Sequence, residues 1–98
     1  MVKKEGVLKK PDKTKKFVRV VQVVRNSSKE AIWVKVSYIE RTIKDGVPGE
    51  RVLHEVAFIP SADGWVYKFQ NFLNNFIPDK RYHKMAKRAA AILYEKKK

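Results

Sequence analysis

The chain has no cysteine. Disulfide staples and thiolate metal sites are excluded, and a reducing compartment is allowed. Histidine is nearly absent too: only His54 and His83 occur, without the HExxH spacing of a helical zinc site. The four glycines, Gly6, Gly46, Gly49 and Gly64, are too dispersed to build a phosphate-cradling loop. No apolar run approaches the ~20 residues that span a bilayer, and the N-terminus is too polar for the apolar segment of a signal peptide. Acidic residues number only ten and are scattered, so no paired-carboxylate or metal-ligand cluster is visible. These absences predict an intracellular, cytoplasmic protein with no integral membrane association, no catalytic residue, no metal and no cofactor. It is not expected to be an enzyme.

Positive charge is what the chain does have. Lys and Arg number 23, and the net charge is +13. Residues 1–16 carry seven Lys against Glu5 and Asp12, and residues 79–98 carry eight Lys or Arg against Asp79 and Glu95. The ends therefore hold nearly all of the excess. Self-repulsion makes such concentration unfavourable unless a polyanion relieves it. Nucleic acid is the commonest relief, and anionic lipid is the alternative. Ninety-eight residues, 44% of them hydrophobic, suffice for one domain with one core.

Residues 1–16, with Gly6, Pro11 and many Lys, read as a flexible basic arm before a single domain over 17–98. Three β-rich segments follow: Phe17 to Val24, Ala31 to Ile43, and Arg51 to Ile59. Residues 25–28 and 44–50 carry turn chemistry. Short connections predict a three-stranded antiparallel meander. A register pairing Thr42 with Val52, Tyr38 with Val56 and Val36 with Phe58 puts Val34, Val36, Tyr38, Val52, Val56 and Phe58 on the core face. Val18, Val20 and Val24 join them from the first strand. Phe17, Arg19, Val21, Trp33, Lys35, Ile39, Arg41 and Glu55 fall on the other face.

From residue 61 the spacing of apolar residues changes to a helical period. Trp65, Val66, Phe69, Phe72, Leu73, Phe76 and Ile77 share one side of a predicted helix, with Ser61 as N-cap and Asp63 in its first turn. Phe69, Phe72, Leu73 and Phe76 are expected to pack on Val36 and Tyr38. Tyr67, Gln70, Asn71, Asn74 and Asn75 form the opposite, polar side, and Asn and Gln can pair with adenine. Pro78 ends this helix, and Asp79 begins a second one through about Lys96. The expected fold class is α+β: a three-stranded meander followed by two C-terminal helices on one face.

On the second helix, Lys80, Arg81, Lys84, Lys87 and Arg88 fall within an arc of roughly 120°, opposite the apolar stripe of Tyr82, Met85, Ala86, Ala89, Ile92 and Leu93. Solvated helices usually mix signs. One-signed charge fits a row of phosphates. His83 and Tyr94 flank this arc. The hairpin residues Arg41, Lys44 and Arg51 are further candidate phosphate contacts. Trp33 and Phe17, beside Arg19 and Lys35, are candidate platforms for stacked bases.

Residues His83 to Ala91 (HKMAKRAAA) also resemble the start of the last helix of double-stranded-RNA-binding domains, which carries a K-K-x-A-K-x-x-A-A pattern. Lys84, Ala86, Lys87, Ala90 and Ala91 match, and His83 stands at a usual Lys. The resemblance implies a meander before the helix and basic residues that grip phosphates across a groove. In its Lys-rich, Cys-free composition the chain is similar to small basic proteins of archaeal viruses, which implies a host-cell location. The sequence thus predicts non-sequence-specific backbone binding, with duplex DNA slightly favoured over RNA. The principal competing reading is a homodimeric assembly subunit. A small nuclease would instead need two or more of Glu30, Glu40, Asp45, Glu50 and Glu55 around a metal.

Overall fold

β-branched residues recur through positions 13–60, and this stretch pairs as an antiparallel sheet. A computed structural model describes residues 13–95. The expected arm up to Asp12, and residues 96–98, lie outside the described residues. Strands β1 (Lys13–Arg25), β2 (Ala31–Lys44), β3 (Val47–Pro60) and β4 (Val66–Asn71) lie in the order β1-β2-β3-β4, and helix α1 (Asp79–Leu93) follows. The last four residues of the expected arm, Lys13 to Lys16, are the start of β1.

The α+β class stands, but the architecture is four strands and one helix rather than three strands and two helices. The segment read as a first helix is a turn, an edge strand and a loop. Its apolar spacing fits a helical stripe, yet Tyr, Phe, Val and Asn are poor helix formers, and β3 offers a free edge to pair with. The residues assigned to the helix start build the turn instead. The Ser61 side-chain oxygen and the Asp63 carboxylate both accept from the Trp65 backbone N–H, at 3.2 and 3.1 Å, and the Ser61 hydroxyl also donates to Asp63. Those bonds, the Ser61 hydroxyl first, hold the Asp63 carboxyl below its ordinary value. Gly64 supplies the left-handed conformation this turn needs (φ 88°). The asparagines shape the loop after β4. Asn71 accepts from the Asn74 N–H and donates to the Asn75 carbonyl, and Asn74 takes φ 53°.

Helix α1 lies across one face of the sheet and touches all four strands, β2 most of all. Its buried stripe is Met85, Ala86 and Ala89; the small Ala side chains bring the helix axis close to the strands. Beneath it lie Val34, Val36, Tyr38, Val56, Phe58 and Val66. Phe58 is fully buried, with the Tyr82 ring tilted 58° against it. Burial raises the Tyr82 phenol pKa. The expected packing of Phe69, Phe72, Leu73 and Phe76 on Val36 and Tyr38 does not occur: Phe76 is 84% exposed, and Phe72 sits under Lys35, whose ammonium lies 4.5 Å from the ring centre.

The register differs from the expected one by two residues: Val36 faces Val56, and Tyr38 faces His54. A two-residue slip preserves side-chain faces, so Val34, Val36, Tyr38, Val56 and Phe58 remain on the core face. Two bulges break the parity elsewhere. Val21 is extra in β1, so Val23 rather than Val24 turns toward the helix. Leu53 is extra in β3, so Val52 leaves the core and is 43% exposed. Among the described residues no helix is long and apolar enough to cross a membrane.

Candidate nucleic-acid interface

The helix that carries the basic arc starts where Pro78 fixes an extended backbone, and the Pro78 carbonyl accepts from the Tyr82 N–H at 2.9 Å. At its other end the Tyr94 hydroxyl accepts from the Ser61 N–H at 3.2 Å and lies within donating distance of the Ser61 and Trp65 carbonyls. Both ends of α1 are thereby fixed, and its side toward β1 has a defined direction.

On that side, Lys84, Lys87, Arg88 and Ala91 face Val18 of β1 across a groove of about 440 Å³. The floor is aliphatic and the rim is cationic. Lys84, Lys87 and Arg88 make no ion pair among the described residues. Along β1, on the same face as Val18, Lys16 extends the positive rim; its ammonium lies 4.0 Å from Glu40.

Most of the other candidate contacts have partners within the fold. Arg81 turns inward: one guanidinium nitrogen lies 3.2 Å from Nε2 of the buried His54, and the group sits over the Tyr38 ring at 5.2 Å. Arginine only donates, so Nε2 accepts and His54 carries its proton on Nδ1. That N–H donates to the Asn75 side-chain oxygen at 3.1 Å, and the Asn75 amide donates in turn to the Leu53 carbonyl at 2.8 Å. His83 stacks on Trp65, with ring centres 6.2 Å apart. Arg51 is bound to Glu40 at 2.7 Å. Arg41 and Arg19 both hold Glu50, at 2.7 and 3.0 Å, and both guanidinium groups cover Phe17, at 5.8 and 5.4 Å. Their hydrogen bonds, that from Arg19 first, pull the Glu50 carboxyl down to about 2. Phe17 is thus half-buried and shared between two cations. Lys44 is exposed at the β2–β3 turn, Lys80 is exposed on α1, and Trp33 is half-buried on the sheet face away from the helix.

The structure therefore brings three of the expected contacts, Lys84, Lys87 and Arg88, into one groove. Reading the helix alone does not find Val18 or Lys16, because their position depends on β1 lying beside α1. The carboxylates at Glu40 and Glu50 were missed as the partners of Arg51 and Arg41; cross-strand pairing was their only signal. Tyr38 faces His54 across the β2–β3 pair. Among the described residues no three His, Asp or Glu side chains converge in a metal-sized group. No protein-family model, curated protein or solved structure matches the chain.

Proposed function

We propose that this protein binds duplex nucleic acid through the phosphate backbone, without base reading and without covalent chemistry. One observation carries the reading. Among the described residues the sheet's arginines are matched to carboxylates, while the three cations of the α1–β1 groove are not. A folded chain that uses its acids to hold the sheet and leaves a one-signed groove gains from displacing counterions off a polyanion. Lys84, Lys87 and Arg88 make the principal contacts, with Lys16 and Lys80 beside them and Lys44 at the ribbon tip. Duplex DNA is placed slightly ahead of RNA, because backbone contacts alone do not use the 2′-hydroxyl. An intracellular setting follows from such a ligand.

The test is a salt titration. Changing Lys84, Lys87 and Arg88 together to Gln keeps good helix formers and leaves Met85, Ala86 and Ala89 in place. Affinity for duplexes of unrelated sequence should fall alike. The slope of log affinity against log salt should become shallower by up to ~3 × 0.9. An unchanged slope in a folded variant removes the groove from the interface.

A further inference from the structure

The sheet has a second face, and one end of it has apolar side chains that no described residue covers. Val34 and Phe58 point to the helix, so Trp33 and Ile59 point away from it. Val24 pairs with Trp33, and Tyr67 pairs with Ile59. These four form an apolar row across all four strands. The bulged Val21 and Phe69 lie beside it. Tyr67 is 62% exposed, Phe69 57% and Val21 46%. Tyr67 and Phe69 alone leave on the order of 200 Å² of ring surface in water.

Charge decides what this area takes. The neighbouring cations turn elsewhere. Arg25 reaches Glu95 at the helix end (3.6 Å). Lys68 lies opposite Phe58, on the helix side. Lys35 folds over Phe72, and the next pair inward brings the Ser37 hydroxyl to Glu55 at 3.2 Å. Among the described residues, Arg25 and Lys35, which flank this row, are already engaged with Glu95 and the Phe72 ring. Two molecules of net charge +13 repel at most of their surface, and this apolar end of the sheet is where they approach at least cost.

We infer that the apolar end of the helix-free sheet face, centred on Trp33, Tyr67 and Phe69, is a homodimer interface. Two sheets pack face to face there, as in sandwiches whose strand directions differ by about 30°. The helices then lie on the two outer surfaces, and each copy keeps its α1–β1 groove open. This inference stands apart from the nucleic-acid reading, and the two respond to salt in opposite directions. Screening relieves repulsion between copies and strengthens the dimer, whereas it weakens phosphate binding.

Sedimentation equilibrium of the full chain, free of nucleic acid, is the test. The expected result is a monomer–dimer equilibrium that tightens between 0.1 and 0.5 M salt. Tyr67→Lys with Phe69→Lys places like charges at exposed positions of the interface and should weaken dimerisation at least about tenfold. The unchanged melting curve of that variant shows that the fold survives, and its unchanged salt slope on duplex DNA shows that the groove is separate. Because edge strand β4 carries both changes, Val24→Lys on β1 is a second, independent variant with the same expected loss. A wild-type chain that stays monomeric at 0.5 M salt, or folded variants that dimerise like wild type, overturns the inference. So does protection of this face by single-stranded oligothymidylate with no dimer, which would assign it to bases.

Discussion

Arg81 and Lys84 lie one turn apart on the same helix, and their surroundings give them different work. Arg81 saturates the acceptor of a buried histidine and covers Tyr38, while Lys84 lines the groove. Arg81→Ala leaves His54 Nε2 buried without a donor, which costs about 1–3 kcal/mol. Denaturant unfolding should show that loss. Lys84→Gln should leave stability within about 0.5 kcal/mol, as surface changes do, and should lower duplex affinity. A similar contrast separates two phenylalanines. Phe58→Ala empties the middle of the core and should destabilise by about 3–5 kcal/mol. Phe76→Ala, at a residue 84% exposed, should be nearly neutral. The sequence ranks these two alike, because both sit in apolar patterns; only the pairing of β3 with α1 tells them apart.

Among the elements, the three long strands were legible because β-branched residues and turn chemistry agree along them. The Asp-Gly at 45–46 marks the β2–β3 turn, where both residues take positive φ. The last helix was legible for the same reason: Asp79, the Ala-rich body and the apolar stripe all point one way. β4 was not legible, because six residues show either period and its partner edge is remote in sequence. The bulges at Val21 and Leu53 left no sequence signal, and they moved Val24 and Val52 off the core. Beyond the helix, most ribbon positions of β1 to β3 are exposed among the described residues, and one carboxylate on each face ties strands together. Glu40 holds Lys16 and Arg51; Glu50 holds Arg19 and Arg41. The folded Glu50 value, about 2, lies below the ordinary ~4.3. Its contribution is therefore complete above that ordinary value and is lost as pH falls toward 2. Amide protection factors in residues 40–51, which correct for the intrinsic pH dependence of exchange, should fall over that acid range in the wild type. In Glu50→Gln the same amides should already exchange faster at neutral pH, and the Glu50 part of the acid response should vanish. High salt should mimic part of the effect, since these pairs are exposed.

For the whole molecule, the +13 charge is concentrated toward the two ends of the chain, and the fold sets the last helix beside the first strand. The groove was half legible: its three helical cations follow from the wheel, but its other wall comes from β1. Removing residues 1–12 should leave the sheet intact and lower duplex affinity through the loss of Lys3, Lys4, Lys9 and Lys10. Removing residues 1–16 should in addition fray the ribbon, because Lys13 to Lys16 pair with Ile43 to Glu40. Thermal melts of the two truncations separate these effects. The walls of the groove also come from opposite ends of the described chain, Val18 from the first strand and Lys84, Lys87 and Arg88 from the last helix. A ribosome making this protein therefore extrudes the sheet first and the helix last. Until the helix clears the exit tunnel the groove does not exist. The nascent chain is thus spared a formed polyanion site beside the ribosomal and messenger RNA that surround it during synthesis.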